Sequence, residues 1–492
     1  MEDAGAFEAV RACRNALERS IDNRFVVLTS ACVDSICAVK ILKESLEHTA
    51  PSPPTIRTVT NLAELKDAVA GEQLCGGPRV FFFVNCGGLE HEFRELDLMA
   101  GGVAIFLDNR RPVPIDDEPK GVEVRWMGFE GDHRRPVGTP SSLCALYFAQ
   151  ELELQSCKCL WYAILGQTDV AHKCGVMLEQ IQNWQRLLEG QVAHDAWGIS
   201  FGENFKLPFF QHTSLWESIR MSGSIMAKLG ECWKLHNEEL ENFVVELGIP
   251  TEKSKIPYGT FMVEHGQNLD KKLEECGVQR GLHDLRSQGF KRKTTTGEVT
   301  AEDHALALRS ALAAASGCCD LPSITEGTRS AMKILTGSDN RVKKAAMQYQ
   351  KQMSSIIAAG YLVSRSRKQA LRIYNLSKKK DVMDATQNWK CPFWLELLAR
   401  HAMDYSNIPV LLIGLETEND RVPLVGWGNC KMEGTSNQQI CPLAQMMLEV
   451  VVSMKGGKED IDCVTFQTNM WWMKKKTAKE FMTLLVKKIQ GG

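Results

Sequence analysis

The side chains able to do chemistry sit in short polar segments that follow apolar runs. TSACVD carries Cys32 and Asp34, VNCGG carries Asn85, and DNRRP carries Asp108, Asn109, Arg110 and Arg111. Brought together, such groups could ligate a metal or contact a phosphate. Other chemistries are excluded. There is no G-x-x-x-x-G-K-[ST]; KGGKED near Lys455 lacks the leading glycine and the hydroxyl residue that a triphosphate cradle needs. No C-x-x-C pair occurs, and Cys157/Cys159 and Cys318/Cys319 do not have zinc spacing. His91-Glu92 has no second histidine four residues after His91, and neither a dinucleotide fingerprint nor a G-x-S-x-G elbow is present.

The elements that must position these residues read as a parallel sheet. A helix over 5–20 precedes a buried strand at 24–29, and Asp34 can cap a helix carrying Ile36, Val39 and Leu42. TAPSPP breaks that helix before a second strand, TIRTV. Asn61 and Glu64 have capping-box spacing. Further strands are expected at 79–84, 103–107 and 122–126. Apolar strands separated by helical patterns imply a parallel sheet covered on both faces. Ligands of such sheets bind beyond the carboxyl ends of the strands, where the segments above fall.

Three regions are expected: an α/β domain at 1–199, a helical partner-interaction region at 200–300, and a smaller α/β domain at 301–492. The strand pattern stops near residue 200, and FKRKTTTGE reads as a boundary. Beyond it come helices from 302 to about 352 and strands at YLVSRS, LRIYNL, PVLLIGL and VPLVGWG. The strand DCVTFQ and the helix KEFMTLLVKKI close the chain. The 492 residues carry 58 basic and 60 acidic side chains, a net charge of −2, so nucleic acid could be held only by a local patch. The 17 cysteines are scattered through apolar segments, which suits buried thiols in an intracellular protein better than a disulfide scaffold. No apolar run is long enough to span a bilayer, and no signal peptide is legible.

Together the segments resemble the DHH phosphoesterase superfamily of RecJ nucleases. The resemblance places Cys32-Val33-Asp34 at an Asp-x-Asp, Asn85 at a metal-bridging Asp, Asp108-Asn109-Arg110 at the Asp-His-His, and Asp169 in LGQTDV at a final Asp. Two-metal hydrolysis needs anionic and imidazole ligands around two dications. Of the metal-ligand positions that the resemblance implies, only Asp34 and Asp169 keep a carboxylate, −2 against +4, and Arg110 is positive. Two like charges ~4 Å apart repel by about 4 kcal/mol at an effective dielectric of ~20. The expectation is a catalytically inactive remnant, with no catalytic residue, no metal and no cofactor. The same residues have plain structural readings. Asp34 would be a helix N-cap, Asp108 a partner of Arg110, Arg111 or backbone N–H groups, Asp169 a cap for the helix beginning VAHKCGV, and Asn85-Cys86-Gly87-Gly88 a turn.

The collinear order of VDSICAVKIL, FVNCGG, DNRRPV, LWYAILGQTD, LPFFQHTSLWESI, ELGIP and GFKRKTTTGEVTAEDHALALRSAL further resembles the cell division control protein 45 family. Departures are Cys32 for the first aspartate, NRRP for THRP, QHTSL for RHWSL, and no acidic insertion after the fifth strand. The resemblance implies a RecJ-like fold and a nuclear, non-enzymatic replication factor joining the MCM helicase ring to the GINS complex. A helical insertion would face MCM, here Leu215, Trp216, Ile219, Trp233, Phe243 and Leu247. Single-stranded DNA is a further implied ligand, with Arg110, Arg111, Lys291, Arg292 and Lys293 as candidate contacts. Lys378–Lys380 and Lys474–Lys476 read as solvated or nuclear-import material. The rival reading is an active DHH-type nuclease or phosphodiesterase with altered metal ligands. A weaker third is a nucleotide-binding module without turnover.

Overall fold

The computed structural model of the chain describes residues 4–19, 25–49, 52–74, 80–88, 90–110, 122–127, 138–154, 156–171, 178–193, 198–229, 236–282, 285–294, 297–315, 321–337, 340–342, 344–345, 347–349, 371–376, 391–406, 409–414, 416, 420–431, 440–454, 461–463 and 470–489. They form two compact units. The first comprises Met1–Trp197, Asp320–Leu335 and Asp462–Thr468; the second comprises Gly198–Cys319, Thr336–Ile461 and Asn469–Gly492. The first border falls close to the expected one at 199/200. The expected region 200–300 lies in the second unit, while 301–492 is divided, with Asp320–Leu335 and Asp462–Thr468 in the first.

The first unit follows the order α1 (Ala4–Arg19), β1 (Phe25–Thr29), α2 (Val33–Thr49), β2 (Thr55–Thr58), α3 (Leu62–Leu74), β3 (Val80–Val84), α4 (Glu90–Phe93), β4 (Val103–Leu107), β5 (Glu123–Met127), α5 (Ser141–Glu151), α6 (Cys157–Ala171) and α7 (Leu178–Ala193). Its sheet has the order β2-β1-β3-β4-β5, every pairing parallel. Strands β1, β3 and β4 are buried at every residue, as FVVLT, VFFFV and VAIFL require of a sheet covered on both sides. On one face Phe82 meets Phe25 and Phe148 of α5 edge-on. On the other, Phe83, Phe106 and Trp126 stack in series, with ring centroids 4.6 and 4.4 Å apart, beside Leu65 and Phe93. Burying each such ring contributes ~1.5–3 kcal/mol. The capping box of α3 forms: Asn61 Oδ1 accepts the Glu64 N–H at 3.0 Å, and Glu64 Oε2 reaches back to the Thr60 N–H at 2.8 Å.

The second unit departs from the expected helical insertion. Its opening segment is a strand, β6 (Ile199–Phe205), followed by α8 (Leu215–Met221), α9 (Gly223–Leu229), α10 (His236–Glu246), α11 (Thr251–Ser254), α12 (Tyr258–His265) and α13 (Leu269–Gln279). Then come β7 (Arg286–Thr294), β8 (Gly297–Thr300) and α14 (Ala301–Ala315). FKRKTTTGE therefore does not mark a boundary: residues 290–294 lie in β7 and 297–298 in β8 of the antiparallel sheet β6-β7-β8, in which β7 is central. The helix α15 (Leu321–Leu335) belongs to the first unit. Strands β9 (Arg372–Asn375), β10 (Val410–Ile413), β11 (Arg421–Trp427) and Met470–Lys474 make a second mixed sheet, with β9 parallel to β10 and the other pairs antiparallel. Helix Lys475–Ile489 ends the described chain. The expected strand YLVSRS lies outside the described residues. Among the described residues no helix is long and apolar enough to cross a membrane.

Candidate functional site

From β1 the chain crosses to β2 on one side and returns to β3 on the other, so the strand order reverses between β1 and β3. In open parallel sheets this switch point is where ligands bind. The tips there are tied together: Ser30 N–H bonds Val84 O at 3.1 Å, and Asn85 N–H bonds Leu107 O at 2.8 Å. Cys32, Asp34, Asn85, Asp108 and Asn109 all come to these tips, and all are buried.

Asp34 does not cap its own helix. The carbonyl of Cys32 accepts the Ile36 N–H at 3.0 Å and its Sγ accepts the Ser35 N–H at 3.4 Å, so Cys32 occupies the cap of α2. The Asp34 carboxylate, on the second residue of α2, serves another helix. Its Oδ2 accepts the Ser141 N–H at 2.9 Å and its Oδ1 the Ser142 N–H at 3.0 Å, at the start of α5. That helix begins after Pro140, whose side chain cannot cap, and has no acidic residue in its first turn. A carboxylate from outside therefore satisfies the orphan donors and complements the positive end of the helix dipole. Asp34 Oδ2 also accepts Asn85 Nδ2 at 3.1 Å and Asn109 Nδ2 at 2.6 Å.

The orientation of Asn85 is forced by its partners. Its Oδ1 accepts the Asn109 backbone N–H and the Ser141 hydroxyl, both at 2.8 Å, which turns its NH2 toward Asp34 and Ser35. Its φ of 51° is left-handed, a conformation asparagine tolerates well. It is a hydrogen-bond hub as well as the expected turn.

Asp169 lies inside α6, which ends at Ala171, and so does not cap a following helix; Gly166 is likewise helical and not a turn. A Cβ on Gly166 would stand 2.8 Å from Asp34 Oδ1 and still closer to the Ser142 hydroxyl, so glycine here lets α6 lie against the start of α5. Burial pushes the Cys37 thiol well above the usual range, and the negative charges of Asp34 and Asp169 push it further, which puts both carboxylates around one buried thiol.

The other half of the site is an ion-pair knot. Asp108 Oδ1 accepts the Arg110 backbone N–H and Nε, each at 2.9 Å, and Oδ2 accepts Nη2. The far side of the guanidinium is gripped by Glu92 of α4, through Nη1–Oε1 at 2.6 Å and Nη2–Oε2 at 2.8 Å. The side chains of Arg110, Glu92 and Asp108 are 9%, 6% and 0% exposed, which corrects the reading of Arg110 as an open phosphate contact. Burial opposes the Arg110 charge, yet Asp108 and Glu92 outweigh it and hold the guanidinium firmly protonated. Sequence reasoning missed Glu92, which it met only as part of an incomplete zinc motif, and Ser141 and Ser142. A helix start preceded by proline and lacking a cap residue was the legible sign of the latter two.

A bimetallic centre does not fit this donor set. Both oxygens of Asp34 are occupied by N–H donors, Asn85 points a donor where a ligand would be needed, and Arg110 covers Asp108. Among the described residues no group of three or more histidine, cysteine, aspartate or glutamate side chains is arranged to hold a metal ion.

The remaining candidates separate. Arg111, Trp233 and Lys378–Lys380 lie outside the described residues. Lys291, Arg292 and Lys293 are consecutive on β7, so Arg292 faces the opposite side from the two lysines. Lys291 Nζ bonds Glu203 O at 2.9 Å, and Lys293 is exposed. Of the basic run at 474–476, Lys475 pairs with Glu416. Leu215, Trp216, Ile219, Phe243 and Leu247 are buried in one core with Leu240, Phe261 and Leu273, which corrects their assignment to a partner-facing surface. A wide apolar helix surface, most of it core, was legible, and neighbouring helices cover it.

A family model described as CDC45 matches residues 132–419. The human cell division control protein 45 homolog is 26% identical over 192 residues, 35% of this chain and 34% of that protein; the mouse homolog is 24% identical over the same length. The match thus spans about a third of the length of these relatives. The crystal structure of CDC45 from Entamoeba histolytica superposes with a TM-score of 0.73 at 16% identity, covering 98% of each chain, which shows a shared fold. With more than half its length matched by that family model and the same architecture end to end, the chain belongs to the CDC45 family.

Proposed function

We propose that the chain is a non-enzymatic DNA replication factor of the nucleus, a scaffold that joins the MCM ring to the GINS complex in the replicative helicase and contacts single-stranded DNA. Family membership supports the replication role. One observation supports the absence of catalysis: Arg110, held between Glu92 and Asp108, fills the strand tips with a buried cation where hydrolysis would need metal ions.

Co-purification from replicating cells tests the scaffold role, with recovery of both MCM and GINS expected and stable absence of both counting against it. Assays with manganese on 5′-ended single strands and small phosphodiesters test the catalytic half. Turnover that disappears in Asp34→Ala and Asp169→Ala would establish the nuclease reading instead. For DNA, Lys293→Ala should weaken binding across sequences and lower the salt slope by about 1.

A further inference from the structure

Strand β6 is an outer strand: among the described residues it pairs with β7 and with no other strand. Gly198 O accepts the Lys293 N–H at one end, and the Lys206 N–H bonds Leu285 O at the other, each at 2.7 Å. Both bonds continue the register that sets Ile199 opposite Arg292 and Phe205 opposite Arg286. In an antiparallel ladder bonded and unbonded pairs alternate, so the even-numbered residues of β6 bond inward. Ile199, Phe201, Glu203 and Phe205 therefore aim their backbone N–H and C=O groups at the open edge. One of these groups is held by a side chain, since the Lys291 ammonium donates to Glu203 O at 2.9 Å. Lysine at an unpaired edge discourages indiscriminate strand pairing.

The side chains along the edge state what would pair there. On one face lie Ile199, Phe201 and Phe205; Phe201 packs on Phe290 with ring centroids 4.8 Å apart, and both phenylalanines of β6 stay half-buried. On the other face Gly202 opens onto free space, a Cβ there meeting nothing within 4 Å, and Lys291 and Lys293 of β7 share that face. Charge is one-sided as well. Strand β7, RSQGFKRKT, has four basic residues and no acidic one, and the single carboxylate of β6, Glu203, is already paired with Arg286.

We propose that the free edge of β6 takes up an extended segment of a partner protein, alternating apolar and acidic residues, as a fourth strand of this sheet. Its backbone bonds the outward groups of Ile199, Phe201, Glu203 and Phe205, which supplies affinity, and its alternate side chains supply specificity. The apolar ones cover Phe201 and Phe205. The acidic ones cross Gly202 toward Lys291 and Lys293, and Lys291 exchanges the Glu203 carbonyl for a carboxylate, freeing that acceptor for an incoming N–H.

The test uses the full-length chain and fluorescein-labelled eight-residue peptides, read by fluorescence anisotropy. One alternates valine with glutamate and one valine with lysine; two more are the glutamate peptide N-methylated at every second residue, in either phase. The glutamate peptide should bind at least tenfold more tightly than the lysine peptide, and Lys291→Glu/Lys293→Glu should reverse that preference. Methylation in one phase should abolish binding and in the other leave it within about threefold, because one edge of an added strand faces β6 and the other faces water. Phe201→Pro removes an N–H that bonds nothing within the sheet, and should weaken the glutamate peptide at least tenfold. If that variant does not fold, the methylated peptides decide the matter on the wild type. No saturable binding up to 1 mM, equal binding of the two methylated phases, or a lysine peptide as tight as the glutamate one would each overturn the proposal.

Discussion

The Asp34 carboxylate accepts the backbone N–H of Ser141 at 2.9 Å across 107 residues of sequence, binding the first turn of α2 to the start of α5. Four N–H donors converge on this fully buried group. Asp34→Ala would strand the Ser141, Ser142 and Asn109 donors, Asn85 keeping the Ser35 hydroxyl, at about 1–3 kcal/mol for each, so the total loss should be about 3–9 kcal/mol. Asp34→Asn keeps the volume and one acceptor and should lose less. Urea unfolding of the three proteins checks the order; an alanine variant as stable as wild type would refute the trans-cap.

Helical glycines should respond oppositely to alanine. A Cβ on Gly166 meets Ser142 and Asp34, whereas one on Gly190, exposed within α7, meets nothing within 4 Å. Gly166→Ala should destabilise by about 1–3 kcal/mol through overpacking. Gly190→Ala should stabilise by about 0.5–1 kcal/mol through helix propensity. Thermal unfolding of the two variants gives the signs directly.

Stability should carry a signature of Asp303. Burial pushes its carboxyl from 3.8 up to about 7; the Phe209 N–H, bonded at 2.6 Å, opposes the shift, and the Glu302 charge adds to it. The folded-state pKa is raised, so the contribution is fully present below about pH 3.8 and is lost as pH rises to about 7. The stability of wild type relative to Asp303→Asn should fall by about 1.4 kcal/mol per pH unit between pH 5 and 7, then level off. A flat difference over that interval would show that Asp303 titrates normally.

Folding and docking can be told apart in the helices of the second unit. Phe243 is fully buried, and Phe243→Ala should cost about 3–5 kcal/mol in stability. Val263 is 87% exposed, and Val263→Ser should stay within about 0.5 kcal/mol. Chemical denaturation measures both. Loss of partner binding in the phenylalanine variant alone would then report unfolding, and loss in the valine variant would report a surface.

The sequence by itself determined the parallel sheet, because FVVLT, VFFFV and VAIFL are apolar at every position and only a strand covered on both faces tolerates that. It also determined that Cys32, Asp34, Asn85 and Asp108 follow strands, and hence that they share one edge of the sheet. Local spacing carries this much because strand and helix periods are properties of adjacent residues. Tertiary structure alone decided what each group does there. Asp34 caps α5 and not α2, Glu92 reaches Arg110 from α4, and β7 stands where a boundary was expected, since a polar strand paired on both sides resembles a loop in composition. These outcomes depend on which distant donors and charges the packed helices bring within ~3 Å, and hydrogen bonds across the fold leave no periodic trace in the chain.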